Sequence, residues 1–453
     1  MNYNNPPVVT IEKMVNGGFG LGRLPDGRNV FVRHCLPGEI VSLALTRQKH
    51  RYGFGDVLEL SRSSPERITP PCPYYRHCGG CDLQHTGYQN QHAIKQQILV
   101  ELLESAGEPA LKDAASLVAP PIGSTDQFHY RQRIRLNRSS NGQFGFRHFR
   151  SHEIVAVERC LLAAEPLNLC LADLSKHLKS RGFSALITII EELELLLNPL
   201  NGRVTLLLKI SRPPRPADRK RAQRLAESLD QVDRVFFSGQ RFALEGPFGD
   251  GEVQDRLLGF ELPVNPALTM CWEIGGFSQV NIAQNFNLID LVLRQADVSP
   301  ADRILDLYCG MGNFSLPLAR RAAEVYGIEN QGSAIRSAKN NSSRNLLENC
   351  FFAKNDVAAG CQTLIDQQRT FDTVICDPPR RGLPGLAPGI AKLCRHKLVY
   401  ISCDPATLCR DLADLTKNGF SVSSIQPIDM FPQTHHIETV VLLEKHSPQS
   451  RIY

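Results

Sequence analysis

A chain of 453 residues is longer than a usual single domain and predicts two to four, each with an ample core, at roughly 100 to 200 residues apiece. With 42% apolar and 21% charged residues it fits neither the disordered, the collagen-like nor the membrane class, and no stretch approaches the roughly 18 uncharged apolar residues of a spanning helix. Net charge is only +5, yet basic residues bunch at Arg47 to Arg51, Arg131 to Arg135, Arg147 to Arg150 and Arg212 to Arg224. That distribution suits a polyanion, although any one run also reads as a solvated face. Met1 to Pro7 has neither a basic region nor an apolar core, so a cytoplasmic protein is expected. Fourteen cysteines in such a chain point to metal ligands, nucleophiles and buried thiols rather than disulfides.

In chain order, Val8 to Leu60 consists of short alternating segments (Val8 to Ile11, Asn29 to Val32, Glu39 to Leu45, Asp56 to Leu60). Glycine-rich turns such as Gly17-Gly18-Phe19-Gly20 separate them, which predicts a small closed or nearly closed β-barrel. Ser61 to Pro71 carries three prolines and reads as a linker. Gln89 to Ser105 has helical periodicity, while Tyr130 to Leu136, Leu186 to Ile190 and Arg203 to Ile210 read as strands, together an α+β middle domain. A proline-rich loop at Ser211 to Asp218 and an irregular stretch from Gly246 to Pro266 follow. After Met270, strands at Arg303 to Leu307, Glu324 to Ile328, Thr373 to Cys376, Lys397 to Ile401 and Val440 to Leu443 alternate with helices. The expectation there is an α/β, doubly wound, mostly parallel Rossmann-like sheet.

Four stretches carry chemistry. Gly310-Met311-Gly312 follows a strand ending in Asp306-Leu307 and precedes a helix from Ser315, the place where an open α/β sheet binds a nucleotide-like ligand. Ser315 replaces the third glycine of the dinucleotide fingerprint, which disfavours NAD or FAD, and Glu329 closes the next strand at about the distance used to hold ribose hydroxyls. An adenosyl ligand without a pyrophosphate fits, and S-adenosylmethionine is the cofactor inferred. Asp377-Pro378-Pro379-Arg380 ends another strand, with arginine in place of the aromatic ring used by amino-group methyltransferases. Cys403 stands where an apolar strand breaks at Pro405, so its thiol is held rigidly and suits covalent chemistry. Separately, Cys72, Cys78 and Cys81 are spaced C-x5-C-x2-C around Gly79-Gly80, three ligands of a site for zinc or for iron and sulfur.

Asp306 to Phe314, Asp377 to Arg380, Tyr400 to Leu408 and His435-His436-Ile437-Glu438-Thr439, in that order, resemble the RNA uracil-C5 methyltransferases. Val8 to Leu60 resembles the TRAM domain, an OB-like RNA-binding barrel. The resemblance implies methylation of uridine C5 in RNA from S-adenosylmethionine, with most similarity to the bacterial enzymes that act on 23S ribosomal RNA and make 5-methyluridine. It makes Cys403 the nucleophile that adds to uracil C6 and Glu438 the base that removes the C5 proton, with His435 and His436 as relays. Gln279, in Phe277-Ser278-Gln279-Val280-Asn281, joins Tyr308, Asn313, Glu329, Asp356 and Asp377 as implied cofactor contacts. Cys160 becomes the fourth ligand beside Cys72, Cys78 and Cys81, and the implied group is a [4Fe-4S] cluster in the middle domain. The expected division is a TRAM-like barrel over 1–61, an iron-sulfur domain over 62–270 and a methyltransferase domain over 271–453, acting as a monomer on RNA with no membrane. Cytosine-C5 methylation shares the thiol logic but fits less well, because Pro378-Pro379 rather than a cysteine follows Asp377. A transfer-RNA enzyme and a catalytically silent RNA-binding iron-sulfur protein are the remaining alternatives.

Overall fold

The computed structural model describes residues 5–178, 180, 182–249 and 256–446. Five strands, β1 (Val8–Val15), β2 (Phe19–Arg23), β3 (Asn29–Arg33), β4 (Ile40–Gln48) and β5 (Tyr52–Arg62), close into a barrel in the order β1-β2-β3-β5-β4. Val9, Ile11, Val30, Val32, Val41 and Leu43 fill its interior, the two-residue period of strands with one buried face. The barrel is closed, as the alternating segments predict.

Residues 63–87 form irregular backbone that carries Cys72, Cys78 and Cys81. Two helices follow, α1 (Tyr88–Glu104) and α2 (Pro109–Ala115). A seven-stranded sheet comes next, ordered β12-β11-β10-β9-β6-β7-β8. Its strands are β6 (Arg133–Arg138), β7 (Phe144–Arg147), β8 (Ile154–Ala156), β9 (Ile190–Asn198), β10 (Arg203–Ile210), β11 (Val232–Gly239) and β12 (Phe242–Gly249). Helices α3 (Glu165–Leu178), α4 (Ser184–Ile187) and α5 (Pro216–Glu227) share its apolar core.

Two expectations change here. Leu186 to Ile190 is not a strand: α4 occupies Ser184–Ile187, and the strand runs from Ile190 to Asn198. Three glutamates in that strand hide its apolar character. The buried one, Glu194, is tolerated because Arg133 and Arg135 each bring a nitrogen to within 2.7 Å of its carboxylate, and a buried charge persists when it is paired and hydrogen-bonded. The stretch from Gly246 to Pro266, expected to be irregular, contains the end of β12 and all of β13 (Leu257–Leu262), which pairs with β14 (Leu268–Glu273); its residues 250–255 lie outside the described residues.

The last sheet holds β15 (Arg303–Leu307), β16 (Glu324–Glu329), β17 (Cys350–Lys354), β18 (Phe371–Cys376), β19 (Cys394–Ser402), β20 (Phe420–Ile428) and β21 (Glu438–Lys445). Its order is β17-β16-β15-β18-β19-β21-β20. The first five strands are parallel, and β21 enters antiparallel between β19 and β20. On one face lie α6 (Ile282–Ala296), α7 (Ser315–Ala319) and α8 (Gly332–Arg344); on the other lie α9 (Val357–Asp366), α10 (Ala387–Leu393) and α11 (Pro405–Lys417). Both faces are covered, as parallel sheets require. Among the described residues no helix is long and apolar enough to cross a membrane.

Helices α1 and α2 precede the middle sheet in sequence but belong to this last core. Leu99, Leu103 and Leu111 are fully buried against the group containing Leu305, Val374 and Leu412, each contributing roughly 1.5–3 kcal/mol. On its other side α1 grips the β20–β21 connection. Lys95 Nζ donates to Asp429 Oδ1 at 2.6 Å and to the Phe431 carbonyl at 3.3 Å, with both charged residues almost fully buried. Gln91 adds an amide bridge to Gln433 at 3.0 Å.

Removing one partner of a buried pair strands the other charge, at about 3–5 kcal/mol, whereas replacing both with apolar groups is often neutral. Lys95→Met should therefore destabilise the protein by about that amount in denaturant unfolding, and Lys95→Met with Asp429→Leu should recover most of the loss. A single variant as stable as the parent would show that the pair does not anchor the connection.

Candidate active site

The strand order of the last sheet reverses between β15 and β18, and open α/β sheets bind ligands at the carboxyl ends of the strands beside such a point. A cavity of about 670 Å³ opens there, within the range of sites for drug-sized ligands and cofactors. The turn after β15 forms its floor. Tyr308, Gly310 and Gly312 all adopt positive φ, at 63°, 56° and 90°, and a Cβ at Gly312 would collide with Leu316. Only a residue without a side chain lets the backbone pass this close to α7.

Beneath the turn Asp306 is fully buried. The Ser315 hydroxyl donates to its Oδ2, and Oδ1 has no partner among the described residues. Burial, reinforced by the Asp377 and Glu329 charges against the Ser315 hydrogen bond, pushes Asp306 up to about 7. Asn313 is fixed by a reciprocal amide pair with Asn285, at 2.9 and 3.0 Å. Gln279, Tyr308, Asn313, Glu329 and Asp377 all line the cavity. Asp356 does not: its carboxylate caps α9 by accepting from the Ala358 and Ala359 amides at 3.0 and 3.2 Å.

Cys403 and Glu438 meet through strand register. Ser402, the last residue of β19, pairs with Thr439 in antiparallel β21, so Cys403 and Glu438 lie one step beyond that pair at the same edge. Successive side chains alternate faces, which turns both to the side opposite Ser402 and Thr439. Both line the cavity with Asp377 and Arg380. The Asp377–Arg380 turn is itself tied down: buried Asp411 accepts from the Leu383 amide at 2.8 Å and from the Tyr400 hydroxyl of β19 at 2.7 Å.

Burial dominates the electrostatics. It lifts Glu438 well above the ordinary carboxylate range, the Asp377 charge adding to the shift and Arg380 opposing it. Asp377 is pushed up to about 7, also by burial. The Cys403 thiol is pushed up to about 12, first by burial, then by the Glu438 and Asp377 charges, with Arg380 again opposing. Two carboxylates and a thiol therefore face one another in a setting that resists more than one negative charge. Acid and base roles are assigned in such settings.

Sequence reasoning passed over Phe431, whose ring stands 5.8 Å from that of His436 on the cavity wall. No periodicity or motif marks it. Arg380 was legible only as a departure from an aromatic position. His435 turns away from the cavity to Asp82, with Nδ1 at 2.6 Å from Oδ2.

Cys72, Cys78, Cys81 and Cys160 line a second cavity, of about 560 Å³. Gly276, Phe277, Ser278 and Gln331 form a wall common to both cavities. Burial raises the Cys72, Cys78 and Cys81 thiols, Cys78 to about 11, and the charge of Cys160 adds to each. Among the described residues no three His, Cys, Asp or Glu side chains converge closely enough to form a metal site.

A glycine turn, a ribose-distance acid and a strand-edge thiol on this sheet define a nucleic-acid methyltransferase. Residues 261–446 match the family model described as tRNA (Uracil-5-)-methyltransferase, and residues 8–58 match the TRAM domain. Shewanella frigidimarina 23S rRNA (uracil(1939)-C(5))-methyltransferase RlmD is 34% identical over 96% of this chain and 95% of its own length. An uncharacterized RNA methyltransferase of Halalkalibacterium halodurans is 31% identical over 98% of each. The crystal structure of Pyrococcus abyssi tRNA (uracil-54, C5)-methyltransferase in complex with S-adenosyl-L-homocysteine superposes with a TM-score of 0.70, covering 96% of this chain and 100% of that one at 24% identity. The chain belongs to the RNA uracil-C5 methyltransferase family.

A carboxyl group whose native pKa is raised keeps its proton in the folded state while the unfolded chain has released it. Stability then falls as pH rises from the unfolded value, near 4.3, toward the native one. Glu438→Gln removes that loss. Its melting temperature should match the parent near pH 4 and exceed it by roughly 2–4 °C at pH 8. A pH-independent difference would contradict the shared burial of the two carboxylates.

Proposed function

We propose that this enzyme methylates C5 of a uridine in 23S ribosomal RNA, with Cys403 as nucleophile and Glu438 as the base that ends the reaction. The observation that carries the reading is the register that brings Cys403 and Glu438 together at the strand edge beside Asp377. Relatives named for 23S ribosomal RNA that match almost the whole chain favour that RNA over transfer RNA.

Uracil C5 is a poor nucleophile until sulfur adds to C6 and turns the ring into an enolate. Cys403 supplies that sulfur. Its thiol rests protonated and must lose its proton during attack, and Arg380 is the neighbouring cation that favours the thiolate. S-adenosylmethionine, when bound, supplies the electrophilic methyl group. Gln279, Tyr308, Asn313, Glu329 and Asp377 would hold it over the glycine turn, Glu329 at the ribose hydroxyls; Asp356 lies outside the cavity lining and caps α9 through Oδ1. Once C5 carries the methyl group, Glu438 removes its remaining proton, the C6–sulfur bond breaks and the product leaves. Burial raises the proton affinity of Glu438, which suits it to that transfer. Asp377 faces the flipped base, and the half-buried ring of Phe431 offers it an apolar flank.

The four cysteines would hold a [4Fe-4S] cluster. The donor set is all sulfur, which suits iron and sulfur. No step of the methylation uses an electron, so the cluster would have a structural or RNA-positioning task. The barrel adds a surface on which the half-buried Phe31 and Phe54 rings pack against exposed Tyr52, with the Arg150 guanidinium 5.0 Å from the Phe54 centroid. Rings with arginines are the chemistry of single-stranded RNA recognition.

Two variants separate the catalytic roles. Cys403→Ala should bind cofactor and RNA but neither methylate nor crosslink. Glu438→Gln should transfer methyl and then stall as a covalent RNA complex, a slow band on a denaturing gel that carries methyl label. Normal turnover by Glu438→Gln, or the band in Cys403→Ala, would overturn the assignment.

Protein purified without oxygen should be brown with about four irons per chain. Cys160→Ser should lose the iron while S-adenosylmethionine affinity changes little. Stoichiometric zinc without sulfide would exclude the cluster.

A further inference from the structure

The loop from Asp429 to Ile437 delivers Glu438 to the cavity, and one of its holds comes from outside the methyltransferase fold. The Asp82 and Leu83 amides donate to the Gln433 carbonyl at 3.0 and 3.1 Å. The buried Asp82 carboxylate accepts from the His435 amide at 3.3 Å and meets His435 Nδ1 at 2.6 Å. Gly18, in the turn between β1 and β2, closes over this pair: a Cβ there would sit 3.0 Å from the Cβ atoms of both Asp82 and His435. Barrel, cysteine loop and catalytic loop thus meet at one hydrogen-bonded contact.

From that contact a chain of touching groups runs into the cavity. The His435 and His436 rings are 4.1 Å apart, and His436 Nε2 is 3.4 Å from Arg380 Nη2. A guanidinium has only donors, so His436 Nε2 must accept. Burial and the nearby cations hold His436 down to about 3, hence neutral. A neutral acceptor aims the guanidinium without cancelling its charge. Arg380 is the cation that opposes the rise of both Cys403 and Glu438.

We propose that Asp82 is a positioning residue for methyl transfer: by fixing His435 it sets His436, and through it the Arg380 guanidinium, against Cys403 and Glu438. The proposal rests on the roles assigned to Cys403 and Glu438 above. It makes the cysteine loop part of the catalytic geometry without giving it any chemistry. Asp82 touches neither cofactor nor base, so its loss should appear in the rate of the chemical step and not in binding.

The test is single-turnover methyl transfer by the full-length protein with RNA substrate, alongside KM for RNA and affinity for S-adenosylmethionine. Asp82→Ala should slow the step by about 10- to 100-fold, the scale of a small misplacement of a reacting group, with KM and cofactor affinity within about twofold. Asp82→Asn, whose amide oxygen still accepts from His435, should recover most of the rate. His436→Ala should show the same loss, and Asp82→Ala with His436→Ala should be no slower than the worse single variant, because both act through one path. Multiplying losses, an unimpaired Asp82→Ala, or a loss confined to KM would overturn the proposal. Should Asp82→Ala fail to fold, His435→Phe replaces it with the same expectations. If Cys403→Ala still methylates, the reading beneath fails; if Cys403→Ala is inactive and Asp82→Ala is unimpaired, only the role of Asp82 falls.

Discussion

Two carboxylates and a thiol occupy one buried cavity, and they cannot all carry charge. Burial raises Glu438, Asp377 and Cys403 alike; the Asp377 charge lifts Glu438 further, and both carboxylate charges lift Cys403. A single strand-edge geometry imposes this crowding. Because β21 runs antiparallel, its first residue reaches the edge where β15, β16, β18 and β19 end. A sixth parallel strand would have put Glu438 at the opposite edge of the sheet. The crowding holds the thiol in its unreactive protonated form and leaves a carboxylate able to take a proton near neutrality, a pairing that suits a reaction needing a nucleophile first and a base last.

Holding such a site together falls to groups outside the sheet. The Asp429–Ile437 loop is largely buried, with Met430 in the core of the last sheet, and it is gripped by α1 through Lys95 and Gln91 and by the cysteine loop through Asp82 and Leu83. The same cysteine loop is secured toward the barrel by Tyr75 and His85. The Tyr75 hydroxyl stands 2.6 Å from both the Asp82 carbonyl and His85 Nδ1, and His85 Nε2 stands 3.2 Å from the Cys35 carbonyl. Barrel, cysteine loop and catalytic loop are joined by buried polar contacts. Such contacts fix orientation more sharply than apolar area does, because a misplaced buried polar group loses its partner and gains no water in return.

Much of this was legible in the sequence where local physics decides. Arg303–Leu307 is read correctly because an apolar run ends in a glycine turn, and the barrel because short alternating segments are cut by glycines. Cys403 stood out because a proline one residue past Asp404 stops a strand. Strand order is another matter. Nothing local says that β21 inserts beside β19 rather than at the edge, so the meeting of Cys403 with Glu438 entered through family resemblance. Asp356 shows the reverse limit: nothing in the sequence marks it as the cap of α9, where its Oδ1 accepts from the Ala358 and Ala359 amides. β20, with serines and a glutamine through its length, lacks the pattern of a buried strand. The partner of α1 and the contact of Asp82 with His435 are tertiary facts separated by more than 300 residues.

The central claim is that Cys403 forms the bond to uracil C6 and that the complex cannot collapse until the C5 substituent leaves as a proton. RNA carrying 5-fluorouridine at the target position tests it directly, because fluorine at C5 cannot be removed by a base. After digestion, mass spectrometry should place a methylated fluorouridine on the peptide that contains Cys403, at one adduct per active site. An adduct on Cys409 or on any other residue, or no adduct from enzyme that methylates ordinary RNA, would contradict the account.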